Sequence, residues 1–453
     1  MRRPNLLCSS IVLAMSCAPA HAMTLTEAIQ STVENHPQIQ ASQNARLSAD
    51  EEVKVAKGGY LPSVDVLAGY GRQNSDTPST RALSPGTHNK ETLTYGTSEL
   101  RLRQMLFDGF NTPNEVARTE AVVNSRAYYT LGTAEALALR TIEVYLDVLK
   151  RREMVTLATN NLQAHLRMHD QIRLRSDQGV GRTADSDQAE ARLALAQNNL
   201  YPEQVNLADA EASFLSVTGR PADDLASPAS IKSAMPTDIN SARQSVASNN
   251  PLLKSAQADV QAAEKQYESA KSPFYPRFDA ELATNADNDA SGENGHANGW
   301  RAGVSMNYNL FNGMRDKARL QSSAYKNNEA MDIRNNALRE LNENLALAWN
   351  ARDNARLQTP KARDYADYSA RVREAYQQQF TLGQRTLLDL LDSENELFTA
   401  NRRYTEVRYT EEFSMYRVVA ATGALLKQQN IVVPTEAVAL SDVENQASLP
   451  EMK

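Results

Sequence analysis

The chain has 453 residues, a formal net charge of −7 at pH 7, 41% hydrophobic residues and only 6% aromatic ones. Its mean hydropathy is negative, whereas a compact core of this length would be more apolar, so long helices with wide solvated faces fit better. The acidic balance argues against a nucleic-acid binder, which needs a basic face.

Residues 1–22 read as an export signal. Arg2 and Arg3 precede an apolar run from Leu6 to Met15, and Ala20-His21-Ala22 has the form of a cleavage site, so the mature chain is expected to begin at Met23. Loss of the two arginines takes the charge from −7 to −9. Cys17 raises lipidation as an alternative, although Ala14-Met15-Ser16 before it lacks the leucine of a bacterial lipobox. Both cysteines, Cys8 and Cys17, lie in this segment, so the mature chain has no disulfide or thiol chemistry. After residue 22 no apolar run approaches the roughly 18 residues of a membrane helix. A mature chain that spans a membrane must do so with strands.

The first half opens with a helix. Thr24 and Glu27 have capping-box spacing, and the helix is expected to run toward Lys57, ended by Gly58-Gly59 and Pro62. Two strands follow. Val64, Val66, Ala68 and Tyr70 share one face with Asp65 on the other, and Leu100 and Leu102 alternate with Glu99, Arg101 and Arg103. Pro113 suits a helix first turn. No further proline occurs before about Gln178, a run of about 66 residues or roughly 100 Å at 1.5 Å per residue. Leu131, Ala134, Ala138, Ile142, Tyr145 and Leu149 form a seam along it. Gly179-Val180-Gly181 marks a turn, and a return helix reaches Thr218 before Gly219 and Pro221.

The second half repeats this plan. His36-Pro37 matches Asn250-Pro251, and the same offset of 214 pairs Ala56-Lys57 with Ala270-Lys271, Pro62 with Pro276 and Asp65 with Asp279. From Leu106-Phe107-Asp108-Gly109 and Leu310-Phe311-Asn312-Gly313 onward the offset is 204, pairing Gly179 with Gly383, Asp185 with Asp389 and Thr218-Gly219 with Thr422-Gly423. The ten-residue change falls between the strands, where a hairpin loop absorbs it. An internal duplication of about 200 residues explains the pattern, and nothing recurs at the 20–50 residues of a short-repeat array. Phe278, Ala280 and Leu282 alternate with Asp279 and Glu281. Trp300, Ala302, Val304, Met306 and Tyr308 alternate with Arg301, Ser305, Asn307 and Asn309. An outward helix from about Asp316, a turn at Thr381–Gly383 and a return helix to Thr422 follow. The expected divisions are the signal 1–22, a first repeat 23–225, a second repeat 226–426 and an irregular tail 427–453 carrying Pro434 and Pro450.

Four amphipathic strands cannot close a membrane barrel, because the smallest single-chain barrels use eight and an open edge in lipid leaves backbone groups unsatisfied. Copies must share the strands. Three chains supply twelve strands and twelve long helices. A small soluble β-domain on a coiled-coil stalk is the alternative arrangement.

The duplicated strand-end motifs, with Gly383-Gln384-Arg385-Thr386-Leu387-Leu388-Asp389-Leu390-Leu391-Asp392 at the second turn, resemble the TolC family of outer-membrane channel proteins over about residues 23–426. The resemblance implies a mainly α fold with a β-barrel part: a trimeric twelve-stranded outer-membrane β-barrel continuous with a long periplasmic α-helical coiled-coil barrel. It implies a passive exit duct and not an enzyme, without cofactors. Its partners would be two further copies, outer-membrane lipid, a periplasmic adaptor (membrane fusion) protein and an inner-membrane ABC or other pump. Its cargo would be an exported protein or small molecule. Within the family the chain looks most like the outer-membrane components of type I secretion.

Asp389 and Asp392 are three apart on one helix face; by resemblance they match the acidic ring at the narrow periplasmic entrance. Arg385 matches an arginine tying the inner hairpin to its neighbours in a closed gate. Phe380 stands where some relatives have a tyrosine that hydrogen-bonds an aspartate on the other hairpin. The acid, Asp185, is present here, the hydroxyl is gone, and Ala184 replaces a threonine. Gly179, Gly181 and Gly383 form the hairpin turns. The remaining motifs are weak. His165 and His169 at i, i+4 lack the zincin glutamate, Asp287–Gly292 puts Asn298 at the twelfth place of a calcium loop, and Gly179-Val180-Gly181 lacks the third glycine and preceding strand of a nucleotide fingerprint. The competing functional classes are a periplasmic coiled-coil adaptor or scaffold, which should carry one hairpin and not two, and an exported hydrolase, for which no site is recognisable.

Overall fold

The structure of the chain is a computed structural model describing residues 22–83, 90–179 and 182–442. The expected signal up to residue 21, Gly181 of the first turn and residues 443–453 of the tail lie outside them. In chain order the principal elements are α1 (Leu25–Asn35), α2 (Pro37–Gly58), β1 (Ser63–Ser75), α3 (Pro78–Leu83), β2 (Glu91–Phe107), α4 (Asn111–Asp177) and α5 (Thr183–Thr218). Then come α6 (Ile239–Asn249), α7 (Pro251–Ser269), β3 (Arg277–Asn288), β4 (His296–Asn307), α8 (Arg315–Thr381), α9 (Leu387–Ala421) and α10 (Leu425–Gln428). The chain is internally duplicated: α1, α2, α4 and α5 recur as α6, α7, α8 and α9 around a second strand pair, and α3 belongs to the longer first hairpin alone. No described helix is long and apolar enough to cross a membrane.

Two compact units are distinguished: one of Met1–Ser31, Thr141–Ser230 and Asp364–Tyr409, the other of Thr32–Arg140, Ile231–Arg363 and Thr410–Lys453. The second unit holds the sheet, antiparallel in the order β1-β2-β3-β4. Its register lines up Val64, Leu102, Leu282 and Ala302 across all four strands, with Val66, Leu100, Thr284 and Trp300 in the next row on that face. Trp300, Val304 and Met306 are 77%, 65% and 64% exposed. The opposite face is charged: Arg301 donates to Glu99 (2.7 Å) and Glu281 (2.8 Å), and Arg101 pairs with Glu99 at 2.9 Å. One side of the sheet is therefore apolar and unburied, the other an ionic lattice. β4 ends at Asn307, short of the Tyr308 and Asn309 assigned to it from alternation.

The repeated strand-end motif is a strand-to-helix turn. Gly109 and Gly313 take φ of 69° and 72°, and a Cβ on Gly109 would lie 2.5 Å from the Ser272 carbonyl oxygen, so only glycine fits there. Asp108 then caps α4, accepting the Thr112 N–H at 2.8 Å and its hydroxyl at 2.6 Å.

The expected continuous first helix is corrected to two. His36 is extended (φ −71°, ψ 126°) and caps α2 before Pro37, because the residue before proline is driven out of helical geometry. Asn250 and Pro251 divide α6 from α7 in the same way. The tail region is docked as far as it is described. The buried Glu135 carboxylate of α4 accepts the N–H groups of Leu425 (3.1 Å) and Leu426 (3.2 Å) at the start of α10. Asn124 accepts the Leu440 N–H at 2.8 Å, and the Tyr128 hydroxyl donates to Asp442 at 3.0 Å. Burial pushes the Glu135 carboxyl up to about 7 against the opposing pull of the two amides.

In the first unit the expected capping box forms: Thr24 N–H donates to Glu27 (2.8 Å) and Glu27 N–H to the Thr24 hydroxyl (3.2 Å). Tyr145 of α4 is fully buried, its hydroxyl donating to the carbonyls of Met23 (2.8 Å) and Ala226 (2.5 Å). The helices are also cross-linked by charge. Glu203 of α5 is buried and meets Arg402 of α9 at 2.9 Å, and Glu153 of α4 pairs with Arg408 of α9.

Candidate channel entrance

The two helical hairpins turn within the first unit. α4 gives way to Gly179 (φ 73°) and then α5; α8 gives way to Gly383 (φ 75°) and then α9. Ala164, Met168 and Ile172 of α4, Ala189 of α5, and Leu387, Leu390 and Leu391 of α9 form one buried cluster, with Tyr376 and Phe380 of α8 packed against it. The motif Thr386–Asp392 folds as it does because its leucines recur at the three- and four-residue spacing of one helix face. Burying Leu387, Leu390 and Leu391 turns Asp389 and Asp392 outward together.

Asp389 is the capping-box acid of α9. It accepts the Thr386 hydroxyl at 2.7 Å and the Thr386 N–H at 3.3 Å, and its own N–H donates to that hydroxyl at 3.2 Å. The hydroxyl and then the amide hold its carboxyl below the usual range. Arg385 donates to Gln379 at 2.9 Å, lies 4.2 Å over the Tyr376 ring, and reaches Asp389 only at 3.9 Å. Its partners within one chain thus belong to its own hairpin, and Asp185, in the first turn of α5, is not among them. Phe380 carries the Arg175 guanidinium of α4 5.2 Å from its ring centroid.

Two features escape the sequence reading. Arg192 of α5 donates to Asp392 at 2.7 Å, and Arg373 of α8 donates to the buried Glu394 at 2.7 Å. The duplication offered a signal for the first: at offset 204, Asp392 corresponds to Gln188, and Arg192 lies one helical turn further along the same helix. His165 is buried, and burial depresses its basicity, while His169 turns toward Asp170 at 3.4 Å. Among the described residues there is no group of three or more His, Cys, Asp or Glu arranged to hold a metal. At the β3–β4 hairpin Asp289 accepts the Gly295 N–H at 2.7 Å, while Asp287 accepts the Asn285 side-chain amide at 2.7 Å within β3.

A sheet with one bare apolar face and one charged face, on a duplicated chain with two helical hairpins, suits a channel protein that meets lipid through strands. The sequence pattern of the family described as "Outer membrane efflux protein" matches residues 28–220 and 242–424, and the chain belongs to that family. It is 26% identical over 413 residues to outer membrane efflux protein BepC of Brucella suis, covering 90% of this chain and 86% of that one. It is 23% identical over 418 residues to outer membrane protein TolC of Vibrio cholerae, covering 90% and 92%. The crystal structure of the CmeC outer membrane channel of Campylobacter jejuni superposes with a TM-score of 0.77 at 14% identity, covering 88% of this chain and 86% of that one. The protein is an outer-membrane exit duct, and its family is one of channels.

Proposed function

We propose that three copies assemble into a passive duct, opened by a periplasmic adaptor and an inner-membrane pump, for a type I secretion or efflux system. The observation that carries this is the sheet. β1 and β4 each pair on one side only among the described residues, and the face bearing Trp300, Val304 and Met306 is uncovered. Lipid suits that face but not the open edges, which must be satisfied by neighbouring copies; three chains supply twelve strands. The mature chain begins at Met23 and comprises the repeats 23–225 and 226–426 and the tail 427–453. The acids Asp389 and Asp392 ring the entrance, with Arg385, Asp185 and Phe380 as gate contacts at the turns of Gly179, Gly181 and Gly383. Arg385 holds the closed state against a neighbouring hairpin.

Outer-membrane fractionation followed by an unboiled gel tests the assembly. A heat-sensitive trimer in the outer-membrane fraction supports it. A soluble periplasmic monomer would replace it with the adaptor or scaffold reading. A deletion strain scored for both lost secreted proteins and drug sensitivity assigns the cargo class.

A further inference from the structure

The two entrance aspartates are not equivalent. We infer that Arg192 masks the charge of Asp392, so that Asp389 alone sets the cation preference of the entrance; this rests on the acid-ring reading above. Arg192 Nη2 lies 2.7 Å from Asp392 Oδ1, a direct charge-assisted bond from α5 to α9. At distances several times its own separation such a pair acts as a dipole, and its field falls off faster than that of a lone carboxylate. Asp389 is held differently. Its donors, the Thr386 hydroxyl and amide, are neutral, and the nearest guanidinium, Arg385, stands at 3.9 Å while bonded to Gln379 and stacked on Tyr376.

Arg373 of α8, another arginine of this unit, is taken by the buried Glu394. With Asp392 55% exposed and Arg192 28% exposed, their pair adds little to stability. Its effect is on the potential in the aperture, where a charge removed close to the path of an ion matters most. Because the bond joins α5 to α9, the masking lasts only while those two helices keep this separation.

The test uses the full-length protein in planar bilayers, with lanthanum(III) as the blocking cation. Asp389→Asn is expected to weaken block about tenfold or more, and Asp392→Asn less than about threefold, as follows from a trivalent ion losing a carboxylate with only a distant guanidinium rather than one in a direct charge-assisted bond. In the Asp389→Asn background, adding Arg192→Gln should restore block, and adding Asp392→Asn to that should remove it again. Arg192→Lys, which keeps the charge, should match the wild type. Equal losses for the two single aspartate variants, or no gain from Arg192→Gln, would overturn the inference and leave the ring intact. If the Asp389→Asn, Asp392→Asn protein keeps wild-type block, the ring reading itself fails. Heat-sensitive trimer on an unboiled gel establishes that each variant has assembled; if Arg192→Gln does not assemble, the comparison of the single aspartate variants still decides.

Discussion

Val304→Arg probes the sheet most directly. Val304 sits on the apolar face beside the row in which all four strands present aliphatic residues, Val64, Leu102, Leu282 and Ala302. Taking that row as the centre of the lipid-facing band, Val304 is two residues further along β4, about 6.7 Å of strand, or about 5 Å along the membrane normal at a 45° tilt. An arginine costs about 2–4 kcal/mol at the midplane and about 0–1 at the edge of a band about 25 Å tall, so about 1–3 kcal/mol per chain is expected here. Three chains in a trimer multiply the penalty. The control is the next residue. Ser305→Arg points to the other face, opposite Asp279, which already holds the Arg277 guanidinium at 2.9 Å, and it should assemble normally. The assay is trimer yield in outer-membrane fractions and the temperature at which the trimer dissociates on gels. If Val304→Arg assembles and Ser305→Arg does not, the faces are reversed. If both assemble alike, this face does not meet lipid.

The buried carboxyl of Glu135 is raised from 4.5 to about 7, so the fold binds its proton more tightly than the unfolded chain does. The linked stability is full below about pH 4.5, falls as pH rises to about 7, and amounts to about 3 kcal/mol. Hydrogen exchange at the Leu425 and Leu426 amides, corrected for intrinsic rates, should therefore be slower at about pH 5 than at about pH 8, and Glu135→Gln should flatten the difference. Tyr145→Phe removes the hydroxyl that bonds the Met23 and Ala226 carbonyls; a loss of about 1–3 kcal/mol is expected in denaturant unfolding, and no loss would show that water replaces the hydroxyl. Arg385→Ser should raise single-channel conductance by loosening the hold on a neighbouring hairpin proposed above; unchanged conductance would place the restraint elsewhere.

The strands were legible because a two-residue period has only two faces, and hydropathy separates them: Asp65, Arg101 and Arg301 line one row and Val66, Leu100 and Trp300 another. The long helices were legible because proline and glycine punctuate them; α4 runs Asn111–Asp177 before Gly179. The division of the first helix was missed although its signal was present, since the match of His36-Pro37 with Asn250-Pro251 served only as a landmark of duplication. Each proline also removes an amide and forces its predecessor to be extended, which makes that landmark a boundary. Nothing in local pattern showed that Glu135 would hold the start of α10, because that bond joins residues 290 apart.

At the candidate entrance, the direction of each side chain was readable and its partner was not. Helical period alone places Leu390 and Leu391 inward and Asp389 and Asp392 outward, but which helix lies alongside is a tertiary fact, and it decides that Asp392 meets Arg192 while Arg385 bonds within its own turn. The low aromatic content has the same origin. Alanines recur in the buried seams of the first unit, at Ala158, Ala164, Ala189 and Ala196, beside larger residues such as Met168, Leu390 and Leu391, and let helices approach closely at those positions. Small residues give little apolar area, so the helices lean on ion pairs beside the seams, Glu203 with Arg402, Glu153 with Arg408 and Glu394 with Arg373. Such pairs are weak where water reaches them and strong only where it does not. A gate fastened this way separates at low cost where its bonds are exposed, as at Arg192 and Asp392, and resists where they are buried, as at Glu203 and Glu394. Opening should therefore begin at the exposed pair near the hairpin turns, while the buried pairs stay joined.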